Sequence, residues 1–323
     1  MSQYEQQDGP GVPWPSNSIS EVPFQVYTDQ AQYDREQKCL FQGPTWNYLC
    51  LEVELDKPGD FISTTVGEVA VIAARDTAGD INAFVNRCVH RGNLLCMKRQ
   101  GNVKNFTCVY HGWTYDLEGQ LTGVSFEKGI QNNGGMPPEF RKDEHALRRL
   151  RVAVLGGLVF ATFSDEVPYL EDWLGPDVTR GLLRVMNRTP YILGRNTQIL
   201  PNNWKLYIEN VKDTYHASIL HLFLTTFKVN KLTMPGGVYI NPDGGNHYTS
   251  SKHDYTAEDT EYKDAGMRSE SDLQLQDSSV VDSVDEYGDS VSVQILVVFP
   301  GMVLQQVRNT MPGKTTRICT DTL

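Results

Sequence analysis

Short β-branched segments separated by glycine dominate the first half of the chain. Residues 66–74 and 81–85 are two such runs, with a glycine-containing turn signal between them. The apolar stretch 150–163 is divided by a glycine pair and predicts two antiparallel strands. Further strands are expected at 46–54, 106–110 and 113–121. The pattern therefore predicts an all-β domain over residues 41–163.

The chain before this domain has a different character. Residues 1–20 are rich in Gly, Pro, Ser and Gln, which is typical of a mobile arm. A helix is predicted from Asp29 to Phe41, with Pro44 ending it. We expect residues 1–40 to form an arm and a helix that pack on the second domain.

The pattern changes again after residue 163. Residues 173–185 and 204–227 have helical character, whereas residues 254–290 carry twelve Asp and Glu residues and predict a solvated surface segment. Two strands, 290–299 and 302–307, are expected to turn at a Pro-Gly pair. The sequence therefore predicts an α+β fold in which an all-β domain precedes a mixed domain over residues 164–323.

Composition and charge narrow the class of protein. The chain is 40% hydrophobic and 21% charged, which is ordinary for a globular protein. Its net charge of −11 argues against nonspecific nucleic-acid binding. The first residues resemble no secretory signal, and no apolar run approaches the roughly 20 residues that span a membrane. We therefore expect a cytoplasmic protein whose six cysteines are not organised in disulfides.

A cluster of cysteine and histidine indicates a metal site. Cys88-Val-His90 is followed by Cys108-Val-Tyr-His111, so two thiolates and two imidazoles come from two tight turns. One interpretation is structural zinc, which two Cys and two His bind tetrahedrally. Zinc pairs usually have two to four residues between the ligands, whereas the first pair here has a single one.

The residues that follow favour a different metal group. With Arg91-Gly92 and Gly112-Trp113 included, the two motifs resemble the Rieske loops of aromatic-ring-hydroxylating dioxygenase large subunits. The resemblance implies a [2Fe–2S] cluster, with Cys88 and Cys108 on one iron and His90 and His111 on the other. Neutral imidazoles in place of two thiolates raise the potential of such a cluster. The resemblance also implies that residues 41–163 are a Rieske domain.

A second pair of histidines lies in the second domain. His216 and His221 are five residues apart, which corresponds to about 500° on an ideal helix, so they would not share a helix face. If both bind one metal, the helix must end, kink or contain a π-like turn between them. The spacing alone is a weak signal of a metal site and favours structural or surface histidines.

The surrounding pattern is similar to the mononuclear-iron segment of the same family. It runs from Asn202-Asn203-Trp204-Lys205 through Glu209-Asn210 to Asp213 and the two histidines. The resemblance implies that His216 and His221 bind a mononuclear Fe(II) in a helix-grip-like catalytic domain. It implies that Asp213 is not a ligand but a bridging acid, hydrogen-bonded toward the second Rieske histidine of a neighbouring subunit.

The resemblance extends over roughly residues 20–310 and is greatest to large subunits that act on aromatic carboxylates. It implies a terminal oxygenase that hydroxylates such a ring with O₂, by cis-dihydroxylation of terephthalate or a similar benzoate. Anthranilate and salicylate are alternative substrates. The implied partners are an NADH-dependent reductase, a small β subunit and two further large subunits in a trimer, with no nucleic acid and no membrane. An electron carrier of Rieske ferredoxin type and a zinc-stabilised binding module are competing interpretations.

Two features of the expected catalytic site depend on the end of the chain. In the family the third iron ligand is an aspartate near the C-terminus, and Asp321, the last acid here, lies in a different context. The sequence therefore predicts a catalytic domain whose C-terminal part is missing, and an inactive truncated oxygenase fragment is the alternative to an active subunit. We expect the substrate pocket to include Phe223, Phe227 and residues 295–299, with Arg308 or Lys314 as the cation for a carboxylate.

Overall fold

The chain divides into two compact units. The computed structural model describes residues 11–14, 20–131, 133–221, 235–242, 245–252, 287–307 and 317–322. The first unit comprises Met1–Trp173 and Arg188–Asn196, and the second comprises Leu174–Asn187 and Thr197–Leu323. This division reflects compactness alone, so the predicted domain limits of 1–40, 41–163 and 164–323 stay predictions.

Ten strands build the first unit. They form a seven-stranded antiparallel sheet in the order β1-β10-β9-β4-β3-β2-β5 and a small sheet in the order β6-β7-β8. Every predicted strand of this region is present, although β2 and β5 were not expected from the pattern. The strands are β1 (Asn47–Leu51), β2 (Asp60–Val66), β3 (Val69–Arg75), β4 (Ile81–Val85), β5 (Gln100–Asn102), β6 (Phe106–Thr107), β7 (Thr114–Tyr115), β8 (Leu121–Gly123), β9 (Arg149–Leu155) and β10 (Leu158–Thr162).

Aromatic side chains hold the two sheets of this unit together. Phe106 of β6 contacts Phe61 of β2 and Phe84 of β4 edge-to-face, with ring centroids 5.3 and 5.7 Å apart. Such aromatic pairs add about 0.5–1.5 kcal/mol each to the burial of their surface. Cys88 and Cys108 belong to the same buried cluster. The two predicted ligand loops are therefore anchored in the core of the unit.

The N-terminal helix is confirmed and also lies in the first unit. It comprises α1 (Gln25–Thr28), α2 (Gln30–Glu36) and a π-helical turn at Gln37–Phe41. Asp29 caps α2 by accepting a hydrogen bond from the amide of Gln32. The side chain of Gln37 accepts one from the amide of Glu68, between β2 and β3. The expected contact of this helix with the catalytic domain stays a prediction.

The second unit contains an antiparallel sheet in the order β11-β12-β13-β14-β15. The predicted strands at 290–299 and 302–307 are confirmed, whereas the others carry no clear apolar alternation. A short helix, α3 (Leu170–Leu174), precedes the unit. The remaining elements are α4 (Pro176–Val185), α5 (Trp204–Lys212), α6 (Ala217–Leu220), β11 (Gly236–Ile240), β12 (His247–Lys252), β13 (Val291–Val298), β14 (Met302–Val307) and β15 (Arg317–Thr322).

The two faces of this sheet carry different helices. On one face, Ile208 of α5 packs on Val297 of β13 and Val303 of β14. On the other, Gly181 of α4 lies against Tyr248 and Leu296, and an added Cβ would come within 2.9 Å of the tyrosine ring. Strand residues alternate between the faces, so the face beneath α5 is the one that packs against the helix leading to His216.

A half-buried arginine joins α4 to the sheet. Arg184 pairs with Asp289 through two hydrogen bonds of 2.5 and 2.9 Å. It also donates to Gln294 of β13 and Gln306 of β14, over 3.0 and 2.6 Å. Asp289 was expected to be a solvated acid of the segment 254–290, and that interpretation is wrong for this residue. Residues 253–286 lie outside the described part of the chain.

Candidate metal centres

The two cysteine loops share one hydrogen-bonding pattern. The amide of Cys88 donates to the carbonyl of Asn93 over 2.8 Å, and the carbonyl of Cys88 accepts from Gly92 over 2.9 Å. In the second loop the amide of Cys108 donates to the carbonyl of Trp113 over 2.8 Å, and the carbonyl of Cys108 accepts from Gly112 over 2.9 Å. Gly92 and Gly112 have φ of 72° and 67°, a conformation that favours glycine. Both turns therefore share a glycine four residues after the cysteine.

These turns bring the two thiols together in the core. Cys88 and Cys108 are each 2% exposed. The Tyr115 hydroxyl lies 3.3 Å from the sulfur of Cys88, and the Asn93 amide donates to the sulfur of Cys108 over 3.8 Å. Burial raises the pKa of Cys108, but hydrogen bonds from backbone N–H groups of its own loop outweigh burial and lower the pKa. The environment therefore favours a thiolate.

The two histidines form a second pair beside the thiols. The rings of His90 and His111 are 4.5 Å apart at 71°, and His90 stacks on Trp113 at 4.8 Å and 7°. Desolvation, followed by the charges of His111 and Arg91, lowers the pKa of His90. A neutral imidazole is the form that binds a metal. The side chains thus present the donors that the first site requires.

This donor set fits a [2Fe–2S] group with mixed ligands. The sulfurs are paired and accept hydrogen bonds, and the imidazoles are paired separately, as a cluster with Cys₂ on one iron and His₂ on the other requires. Within the described residues, no three His, Cys, Asp or Glu side chains converge on a position for a single ion. Hydrogen bonds to the sulfurs also tune the potential of such clusters.

The second pair of histidines lies where the helix is interrupted. α5 ends at Lys212, Asp213 is extended, and His216 and His221 flank the four residues of α6. The interruption that metal binding by both histidines requires is present, and residues 222–227 of the predicted helical stretch lie outside the described residues. The two Nε2 atoms are 3.2 Å apart. Two imidazole nitrogens bound at about 2.1 Å in adjacent positions of one metal ion lie about 3 Å apart.

Two neighbouring side chains hold His216. One oxygen of Asp213 accepts hydrogen bonds from the amides of Tyr215 and His216, at 2.7 and 3.3 Å. The other lies 3.3 Å from His216 Nδ1, at an angle that does not make a hydrogen bond. Asn210 Nδ2 lies 3.2 Å from His216 Nε2. The acid is thus positioned to orient the histidine, as carboxylates around metal ligands do.

Sequence reasoning missed several residues of these sites. Tyr115 was not among the predicted site residues, but its hydroxyl contacts a predicted ligand. His247 was not among them either, yet both of its ring nitrogens are buried without a hydrogen-bond partner in the described chain. No local sequence signal identifies either, because both contacts depend on tertiary structure. Four residues of the expected substrate pocket lie outside the described residues: Phe223, Phe227, Arg308 and Lys314.

Family models match both halves of the chain. Residues 45–133 match the Rieske [2Fe-2S] domain, and residues 183–319 match the catalytic domain of the ring-hydroxylating alpha subunit. The first match contains all four predicted cluster residues, and the second contains both predicted iron-binding histidines. The zinc-module and ferredoxin interpretations are therefore wrong for this chain.

Curated relatives and solved structures agree with these matches. The alpha 2 subunit of terephthalate 1,2-dioxygenase from Comamonas is 48% identical over 93% of this chain and 73% of its own length. The anthranilate 1,2-dioxygenase large subunit from Burkholderia cepacia is 43% identical, over 95% and 73%. The salicylate 5-hydroxylase large component from Ralstonia is 37% identical, over 92% and 72%.

The fold of a solved relative is similar as well. Naphthalene 1,2-dioxygenase from Rhodococcus superposes with a TM-score of 0.72 at 23% identity, covering 94% of this chain and 69% of that one. The family binds a Rieske cluster and a mononuclear iron, and its members are oligomeric oxygenase components served by NADH-dependent reductases. The chain thus belongs to the large (alpha) subunits of the aromatic-ring-hydroxylating dioxygenases.

Proposed function

We propose that this chain is the large subunit of a terminal oxygenase that cis-dihydroxylates an aromatic carboxylate, terephthalate or a similar benzoate. The observation that carries the proposal is the 48% identity to a terephthalate dioxygenase subunit across nearly the whole chain. The relatives named for anthranilate and salicylate also act on rings that bear a carboxylate. Anthranilate and salicylate are therefore the alternative substrates.

In this proposal the first unit holds the cluster. Cys88 and Cys108 bind one iron, and His90 and His111 bind the other. The buried hydroxyl of Tyr115 stabilises charge on the first sulfur, while His90 is exposed and His111 is half-buried. When bound, the cluster supplies single electrons and the mononuclear iron supplies the chemistry that activates dioxygen.

The second unit holds the mononuclear iron. His216 and His221 bind it, and their 3.2 Å Nε2 separation supports a shared ion. Asp213 fixes the turn before His216 and orients its ring. The side chain of Asp213 is about half exposed. We place its second carboxylate oxygen toward the second Rieske histidine of a neighbouring subunit. Its role is to position the histidines at both ends.

Three partners complete the proposed enzyme. A reductase delivers electrons taken from NADH. Two further copies of the large subunit complete a ring of three, because a heterologous contact between neighbouring subunits forms a ring when it closes. A small β subunit is the third. No helix among the described residues has the length and apolarity needed to cross a bilayer. The described cysteines are free, which supports placement in the cytoplasm.

Turnover with a panel of aromatic acids tests the proposal. The protein would be produced with iron under anaerobic conditions and supplied with a reductase, NADH and O₂. Terephthalate, benzoate, anthranilate and salicylate would be compared, with naphthalene as an uncharged control. We expect a dihydrodiol from a carboxylated ring, identified by mass spectrometry, and none from naphthalene. Oxidation of naphthalene in preference to all four acids would contradict the proposed substrate class.

A further inference from the structure

Two buried polar side chains of β12 lack the partners that buried groups normally have. His247 is 1% exposed, and neither ring nitrogen has a hydrogen-bond partner in the described chain. Thr249 is 9% exposed, and its hydroxyl is unpaired in the same way. Most buried polar atoms in folded proteins are hydrogen-bonded, and leaving one unpaired costs about 1–3 kcal/mol. Three such atoms on one strand therefore call for an explanation.

The side chains of His247 and Thr249 both project from the face of the sheet beneath α5. They are two residues apart, so they point to the same side of β12. His247 lies opposite Val297 in the ladder, and Val297 packs on Ile208 of α5. Thr249 lies opposite Ile295, which packs on the same cluster. The unpaired polar atoms are thus set into the otherwise apolar wall beneath the helix that leads to His216.

The positive charge of Lys212 acts on the imidazole of His247. Desolvation, followed by the charge of Lys212, lowers the pKa of His247 to about 4. The imidazole is therefore neutral at pH 7 and offers one N–H donor. Lys212 is half-buried at the end of α5, lies 6.0 Å from the centroid of the Phe299 ring, and has no carboxylate within ion-pair distance in the described chain. A donor beside an unpaired ammonium suits an anionic oxygen.

We propose that His247, Thr249 and Lys212 form the subsite that binds the carboxylate of the aromatic substrate. The inference rests on the proposed function and deepens it, because it names the groups that select an acid over an uncharged ring. The apolar residues around the subsite contact the ring, and a bound carboxylate satisfies the buried donors. An apolar pocket binds a carboxylate well only when such donors are present, since an unpaired buried charge is costly.

Ligand affinity of the iron-loaded full chain tests the subsite. Dissociation constants for terephthalate, benzoate and benzamide would be measured by isothermal titration calorimetry, benzamide being an uncharged isostere of benzoate. We expect His247→Leu to weaken terephthalate binding about tenfold or more. The same variant should reduce the ratio of the benzamide dissociation constant to the benzoate dissociation constant. His247→Gln should retain most of the affinity because it keeps a donor. Tyr248→Phe, on the opposite face of β12, is the matched control and should change nothing.

Thermal unfolding separates this role from a structural one. Without ligand, His247→Leu should not lower Tm, because it removes buried atoms that have no partner. Thr249→Val is a second variant of the same subsite and should also weaken terephthalate. Unchanged affinity in both variants would overturn the subsite while leaving the proposed function standing. If the wild-type protein bound none of the aromatic acids, both proposals would be wrong.

Discussion

The sulfur of Cys88 lies against a tyrosine hydroxyl that comes from a strand 27 residues further along the chain. The residue types and spacing of the two cysteine loops were predictable, because each loop is a local turn around a glycine. The partners of the sulfurs were not, because β7 places Tyr115 beside Cys88 only in the folded sheet. Residue patterns therefore identify the donors of a metal site more readily than the hydrogen bonds that tune it.

Removing the Tyr115 hydroxyl should change the potential of the cluster without losing it. A hydrogen bond to sulfur favours the more negative, reduced state. If the bond contributes about 1 kcal/mol, Tyr115→Phe lowers the potential by about 40 mV. Redox titration monitored by EPR measures the change. Tyr110→Phe removes a largely exposed hydroxyl from the second loop and should leave the potential unchanged; an equal shift in both variants would contradict the interpretation.

His247 should make the fold sensitive to acid. Its pKa is about 4 in the folded chain, against about 6.5 when unfolded. Between these values the unfolded chain binds a proton that the folded chain does not, so lowering the pH through this window destabilises the fold, and the effect saturates below pH 4. The free energy of unfolding would be measured with urea at pH 7 and at pH 5. Between these two pH values, His247→Leu should lose about 2 kcal/mol less than the wild type loses. Equal losses would contradict the shifted pKa.

The helix that carries the iron site illustrates what element-level prediction can and cannot provide. The five-residue spacing of His216 and His221 required an interruption, and the structure has one at Asp213, which caps the turn with its own side chain. Strand β12 was missed because its buried positions include Thr249 and Ser250 instead of an apolar alternation, and β11 was missed because it has no buried position. Their place beside β13 is set by tertiary pairing, which overrides local propensity.

The attachment of α4 to the sheet should depend on Arg184. Arg184→Met would remove the guanidinium that bonds to Asp289 and would leave the Gln294 and Gln306 side-chain carbonyls without this donor. We expect a loss of about 3 kcal/mol in the free energy of unfolding, measured with urea. Arg180→Met on the same helix breaks only the exposed pair with Asp177 and should cost less than about 0.5 kcal/mol. Similar losses in both variants would argue against a buried anchor.

At the scale of the whole molecule, an antiparallel β unit and a mixed unit each carry one set of metal-binding residues. The α+β class and the order of the two parts were predictable from the change in apolar period after residue 163 and from the two motifs. The exact limits of the units were not, because residues 188–196 return to the first unit. A local pattern does not show which unit a later segment joins.

The proposed role of Asp213 links the two units of neighbouring subunits. Asp213→Ala should leave the cluster spectrum unchanged and abolish turnover coupled to substrate in the assembled oxygenase, because the carboxylate no longer positions the histidines. Product formation and NADH consumption would be measured together. Asp177→Ala, an exposed acid of α4, is the control. Retained coupled turnover in Asp213→Ala would contradict the bridging role.

The central claim is that one chain carries a Rieske cluster and a separate mononuclear iron. The direct test is EPR of the reduced, anaerobically purified protein together with its iron content. We expect a Rieske signal and about three iron atoms per chain, with His216→Ala retaining the signal and losing about one iron. A colourless protein that contains zinc, or a variant that loses both the signal and the iron while remaining folded, would contradict the account.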